Sequence, residues 1–376
     1  MMTIAIRLAI LAFAFMGWRT ALPQENQDWP CFRGKAAMTG RATSILPAEP
    51  KLLWTHEAGA GIESTAAISG DSVFIGTRDG DLLALNFADG TLRWKTKLGA
   101  SIAASPCVAG GRVYVGDEGG TFHAVDPATG KVLWRFKAGS KIISSATAAP
   151  DAAAPDAILF GSYDNTLYCL DPKTGKEKWT FQADAQVHCS PCVAEGLVMI
   201  AGCDGNVRMI DLATGKQKAA ASLESNFAAC PAYADGNVYV GALRGELLSV
   251  KCADGTLNWQ VKKEGECYAG AAVAGDAVVF ATRASKVFCV DRAAGSQRWE
   301  FTAKGKIDSS PVIAGDTIYV GSSDGNLYGL SLKDGRKAWE FAAGGEITAS
   351  PAIARGRLVI GTSDGAVYCL GRKDER

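Results

Sequence analysis

Glu63, His188 and Asp308 are the residues of this chain that could in principle hold a cation. Carboxylate oxygens and imidazole nitrogens ligate an ion only from about 2.0–2.6 Å, so the three would have to converge on one point. Arg244 and Arg283 offer different chemistry, because a guanidinium suits two-point contact with a carboxylate on an acidic partner. Cys189 and Cys192 are the nearest cysteine pair. Placed on a strand, residues three apart point to opposite faces, so the pair is expected to close neither a disulfide nor a metal site. No Ser–His–Asp set can be argued from spacing and there is no phosphate-binding loop. We therefore assign no catalytic residue and no metal site. His123 reads as a half-buried strand residue, and His56 lies just past Trp54.

The elements that must position these residues follow from a repeat. Trp54, Trp94, Trp134, Trp179, Trp259, Trp299 and Trp339 are spaced by 40, 40, 45, 80, 40 and 40 residues. The 80 is two periods with Ala219 in the vacant place, and the 45 is one period plus the insert 151–155. That makes eight units. In one of them a first strand is expected over Ile307–Ile313 and a second over Thr317–Gly321. A Ser-Asp-Gly-Asn turn leads to a third at Leu327–Leu330, and Trp339 opens the fourth. The strands are short, β-branched and joined by hairpin turns. Four-stranded units repeating at about 40 residues are propeller blades. The chain is therefore expected to be all-β, an eight-bladed propeller of antiparallel blades. The last unit lacks a fourth strand, and Leu52–His56 is a spare one, so pairing the two would close the ring and remove both edges.

The tryptophans are expected to be structural, each burying about 150–250 Å² between adjacent blades. In this frame the first strand of each blade lines the channel. The position-matched residues at its mouth are Glu63, Ala103, Ile143, His188, Ala228, Tyr268, Asp308 and Thr348. Neighbouring loops add Arg78, Asp117, Glu118, Tyr163, Asp204, Arg244 and Arg283. Loops on a stiff scaffold commonly carry function. We single out Glu63, His188, Tyr268, Asp308, Arg244 and Arg283 as candidate binding residues. Glu63 and Asp308 fall two blades apart, with His188 nearer the opposite side, so one metal is not expected to reach all three.

Composition narrows the classes. A formal net charge of zero gives no basic patch for nucleic acid. Nine apolar residues after Arg7 read as the core of an export signal, too short to span a bilayer. The organisation expected is a signal peptide over 1–21, an N-terminal cap segment over 22–50, the propeller over 51–371 and a charged tail over 372–376. Export without a lipid anchor follows, to the periplasm, the outer-membrane periphery or the exterior, with no transmembrane segment after signal removal. The 11 cysteines are an odd number for an exported chain. Cys169, Cys289 and Cys369 share one repeat position and cannot pair with one another, so they read as small buried hydrophobes.

The run Asp126-Pro127-Ala128-Thr129-Gly130-Lys131-Val132-Leu133-Trp134 resembles the tryptophan docking motif of the pyrroloquinoline quinone (PQQ)-like repeat, and Asp171–Trp179 matches equally well. Ser309-Ser310-Pro311-Val312 and its echoes at Ser105-Pro106, Ser190-Pro191 and Ser350-Pro351 fit the same family. Trp29-Pro30-Cys31-Phe32-Arg33-Gly34 is similar to a segment that precedes the propeller in secreted members. The resemblance covers about residues 51–370. It implies either a quinoprotein alcohol or sugar dehydrogenase, with PQQ and calcium in the funnel, or a cofactor-free scaffold such as the BamB-like branch.

Fold alone does not choose between these. The dehydrogenases commonly carry an adjacent Cys-Cys pair and long insertions, and this chain has neither. The expectation is therefore a non-catalytic scaffold for a protein or peptide partner, monomeric and with no cofactor. The alternatives are a PQQ-dependent dehydrogenase and a carbohydrate or small-ligand binder at the channel mouth.

Overall fold

The computed structural model describes residues 27–149 and 156–373. The expected signal peptide and the insert 151–155 lie outside the described residues, as does the end of the tail. Eight four-stranded antiparallel sheets form a ring, and no helix occurs among the described residues. Blade one begins with Ala67–Ser69, and blade seven with Val312–Ala314. In the last blade, the strand Lys51–Glu57 pairs with Ala366–Gly371, His56 facing Val367 and Leu52 facing Leu370. The N-terminal strand thus supplies the fourth strand of the last blade and closes the ring.

Burial follows position in the blade. Second strands such as Ala157–Gly161 are buried along their length, whereas fourth strands such as Glu177–Gln182 alternate exposed and half-buried. The innermost strand is shorter than the sequence suggested. Only Val312–Ala314 is strand in blade seven, not Ile307–Ile313. The reason is local: Pro311 has no amide to give a ladder, and the Ser310 amide donates instead to Ser350 Oγ of the next blade. The fourth strand there also starts earlier, at Lys337. For the same reason Cys189 lies off the strand Cys192–Ala194. Cys189 packs with Val187 and Ile200, Cys192 with Met199 and Val240.

The tryptophans stitch neighbouring blades. Trp54 Nε1 donates to Phe87 O at 3.1 Å, Trp94 to Pro127 O at 2.9 Å, and Trp134 to Pro172 O at 3.3 Å. Trp179, Trp259 and Trp299 repeat the contact with Leu212, Arg292 and Leu332. Trp339 packs against Phe341 and Tyr319. The acceptor loop is shaped by its aspartate: Asp126 Oδ1 accepts from the Ala128 and Thr129 amides and the Thr129 hydroxyl. At Ala219 the neighbouring loop has moved in. A Cβ on Gly255 would collide with the Ala220 carbonyl, and Ala219 packs in one cluster with Cys252 and Leu197. The seam is closed without an indole.

The segment after residue 27 packs on the ring along its innermost strands. Trp29 bridges to Ile68 of blade one. Pro30 O accepts from Val108, Ala36 O from Val193, Ala37 O from Tyr233, Thr39 O from Val273 and Gly40 O from Ile313, all at 2.7–2.9 Å. Each donor is the middle residue of an innermost strand, whose channel-facing amide would otherwise be buried and unpaired. Ser44 Oγ reaches the Gly356 amide of the last blade. The Trp29…Arg33-Gly34 motif has a steric basis. Gly34 has φ +84°, and a Cβ there would lie 2.7 Å from the Trp29 ring, so no L side chain fits.

Candidate functional site

The eight position-matched residues Glu63, Ala103, Ile143, His188, Ala228, Tyr268, Asp308 and Thr348 line one cavity of about 140 Å³. Phe32 of the N-terminal segment is part of its wall, with a column of small polar residues between. Ala103, Ile143 and Ala228 make much of the mouth apolar, and polar side chains of the mouth are gathered into three clasps.

In blade one, Arg78 Nη1 donates to Glu63 Oε1 at 2.5 Å, both side chains partly in solvent. Across blades six and seven, Arg283 Nε donates to Asp308 Oδ1 at 2.6 Å and Nη2 to Oδ2 at 3.3 Å. The same guanidinium lies 3.6 Å from the Tyr268 ring centroid and 3.6 Å from Glu266 Oε2. Stacking and two-point pairing are what the planar fork of arginine allows. Between blades three and four, Tyr163 Oη and His188 Nδ1 are 2.6 Å apart. Lys141 Nζ sits 4.3 Å over the Tyr163 ring. Burial, aided by the Lys141 charge, lowers the His188 pKa, and burial raises that of Tyr163. The Tyr163 hydroxyl and His188 Nδ1 thus share one hydrogen bond in a partly buried clasp.

The remaining candidates fall elsewhere. Arg244 is exposed on the turn and has no place in the cavity. It takes the turn position of Asp324, whereas Arg283 takes that of Ser323, so the two arginines do not form one acid-binding pair. Asp117 turns into its own blade and bonds His123 Nε2 at 2.8 Å, both almost fully buried. His123 is thus fully buried and not the half-buried residue expected. Asp204 is likewise held by Arg208 at 2.6 Å.

Sequence reasoning missed a ring at the base of the cavity. Seven channel-lining amides donate to a side chain of the next blade: Thr65 to Ser105, Ser105 to Ser145 and Ser145 to Ser190, each at 2.9 Å. Ser190 donates to Cys230 Sγ at 3.0 Å, Gly270 to Ser310 Oγ and Ser310 to Ser350 Oγ at 2.9 Å, and Ser350 to Thr65 Oγ1 at 3.1 Å. The recurring Ser before Pro was its sequence signal. The Ser before that caps the second strand, as Ser309 Oγ does for the Gly321 amide. Below the ring lies Arg33, 1% exposed. Its Nη1 donates to Pro311 O at 2.6 Å and its Nη2 to Ala271 O at 2.5 Å.

These residues do not fit a quinone with its calcium. Glu63 and both oxygens of Asp308 are already bound by arginines. Among the described residues no group of three or more His, Cys, Asp or Glu could hold a metal. The cavity of about 140 Å³ is also below the ~300–1,000 Å³ of ordinary small-molecule sites. Nine cysteines are buried, and the half-buried ones are Cys203 and Cys230. A hydrogen bond with Cys107, then burial, pushes the Cys31 thiol well above its usual range.

Comparison with known proteins agrees with this architecture. The crystal structure of BamB from Moraxella catarrhalis is 19% identical and superposes with a TM-score of 0.74, covering 87% of this chain and 99% of that one. The quinohemoprotein alcohol dehydrogenase of Comamonas testosteroni is 13% identical at TM-score 0.75, covering 93% and 82%. The computationally designed Ika8 protein is 18% identical at TM-score 0.76, covering 86% and 100%. At these identities the likeness is one of fold. No curated protein gives a significant sequence match. The family model described as outer membrane protein assembly factor BamB matches residues 39–162, 123–265 and 244–374. The matched segments run through all eight blades, and the chain belongs to the BamB family of PQQ-like propellers.

Proposed function

We propose that this chain is a non-catalytic scaffold that binds a protein or peptide segment over its channel mouth, outside the cytoplasm, in outer-membrane protein assembly. The observation that carries the reading is the state of the mouth carboxylates. Glu63 and Asp308, the groups a cofactor or a general base would need, are each neutralised by an arginine of the ring. What they leave is a stiff rim of Tyr268, Arg283, Tyr163 and His188 beside apolar Ala103, Ile143 and Ala228. Aromatic and arginine side chains on a rigid frame are the usual anchors of protein recognition. The family's description as an assembly factor supports the same reading.

The test has two arms. The purified mature chain is titrated with PQQ and calcium and assayed for dye-linked alcohol and sugar oxidation. Neither saturable binding nor turnover is expected, and turnover would overturn the proposal. In cells, a photo-crosslinker at Tyr268 or His188 is compared with one at Lys176, which sits on a turn of the opposite face. Crosslinks to envelope proteins from the first pair only are expected. Equal labelling from both faces would remove the mouth as the binding surface.

A further inference from the structure

The N-terminal segment meets the second blade through a matched pair of cysteines. The Val108 amide donates to Pro30 O at 2.7 Å. That bond sets Cys31, which follows Pro30, beside Cys107, which precedes Val108 and opens the strand Cys107–Ala109. Both side chains are buried in one cluster with Tyr114 and Phe122. The two thiols are hydrogen-bonded to each other.

Blade four shows what the same geometry gives elsewhere. There the Val193 amide donates to Ala36 O at 2.7 Å, and the next residue, Ala37, packs in one cluster with Cys192. At blade two the residue in the place of Ala37 is itself a cysteine. Other sulfurs are engaged by main chain. Cys189 Sγ accepts from the Ala201 amide at 3.3 Å and Cys230 Sγ from the Ser190 amide at 3.0 Å, while Cys203 Sγ donates to Phe227 O at 3.5 Å. Cys31 and Cys107 are engaged with one another instead.

We propose that Cys31 and Cys107 form a disulfide that ties the N-terminal segment to the second blade. The oxidant is another disulfide, small or carried by a protein. One cysteine, as thiolate, attacks a sulfur of that disulfide and releases one thiol. The second cysteine then attacks the mixed disulfide and releases the other. The Cys31–Cys107 S–S bond forms and the oxidant's S–S bond breaks, so the two protons and two electrons given up by the pair leave on its two thiols. Cys31 lies outside the regular strands, so the segment can give as the sulfurs close to the ~2.05 Å of the bond. Both sulfurs are buried, so exchange takes place while the segment is lifted from the ring, and the finished bond is shielded from reductant. Once it has formed, the segment that carries Trp29 and Arg33 cannot leave the blades. The bond needs only an oxidant of this class and does not depend on what the channel mouth binds.

The experiment incubates the purified mature chain overnight with excess glutathione disulfide, and a second sample with a phosphine reductant. Each is quenched in acid, unfolded, blocked at its free thiols with N-ethylmaleimide and mapped by peptide mass spectrometry. The oxidised sample should contain a peptide joining Cys31 to Cys107, absent after reduction. The oxidised chain should melt about 4–8 °C above the reduced one, and Cys31→Ser should melt alike in both conditions. Cys31 recovered in the oxidised sample with its thiol blocked, or joined to a different cysteine, would overturn the proposal. So would equal melting of the unmodified chain in both conditions, or a difference retained in Cys31→Ser.

Discussion

Arg283 grips Asp308 at two points across the seam between the sixth and seventh blades, Nε to Oδ1 at 2.6 Å and Nη2 to Oδ2 at 3.3 Å. The guanidinium is stacked on Tyr268 at the same time. One side chain thus joins three residues of the mouth. Yet Arg283 is about a third exposed, so solvent screens the pair.

Removing this clasp should therefore alter recognition more than stability. Arg283→Ala is expected to lower stability by less than about 1 kcal/mol and to weaken crosslinking through Tyr268. A urea melt of Arg283→Ala, Asp308→Asn and the double variant gives the coupling energy. A coupling above about 2 kcal/mol would mean the pair is a structural pin of the ring.

The two kinds of blade seam make opposite predictions. Trp259 is 8% exposed and bonded to the next blade, so Trp259→Ala should cost about 3–5 kcal/mol. Ala219→Trp, which restores the repeat, should not stabilise. The Gly255 turn already occupies the space, and overpacking costs about 1–3 kcal/mol. Denaturant midpoints of the two variants decide this, and a stabilised Ala219→Trp would show that the seam was open.

Gly34 sets the path of the N-terminal segment. With φ +84° and the Trp29 ring 2.7 Å from a Cβ, Gly34→Ala should cost more than about 1 kcal/mol. The segment should then leave the ring while the blades persist. The readouts are a new protease cut within 27–50 and retained β-type circular dichroism.

His188 gives a pH signature. Burial holds its folded pKa below the ordinary 6.5, so the unfolded chain binds the proton more readily. That contribution is full above pH 6.5 and is lost as pH falls towards the folded value. Stability should thus drop on acidification from about pH 7.5 to 5.5, and His188→Gln should flatten that slope. The check is the pH dependence of Tm for both chains. An unchanged slope in His188→Gln would place the titrating group elsewhere.

The ring was legible in the sequence because each blade repeats the same local rules. Asp-x-x-Thr-Gly turns, β-branched second strands and periodic tryptophans specify a four-stranded sheet wherever they occur. Eight copies with one strand displaced to the N-terminus leave closure at Lys51–Glu57 as the way to complete the last blade. The column from Glu63 to Thr348 was readable for the same reason, since a fixed repeat position maps to a fixed height in the channel.

What the sequence could not decide is how side chains from different blades meet. Arg283 and Arg244 both stand in turns, but only the first sits over the channel, because one residue of offset in a turn reverses the side chain's direction. His123 gave no sign of Asp117, since their pairing depends on the depth of the turn beneath the strand. The course of residues 29–42 along the innermost strands was hidden too. Its bonds go to six blades spread from Ile68 to Ile313. No local pattern encodes contacts that exist only once the ring has closed.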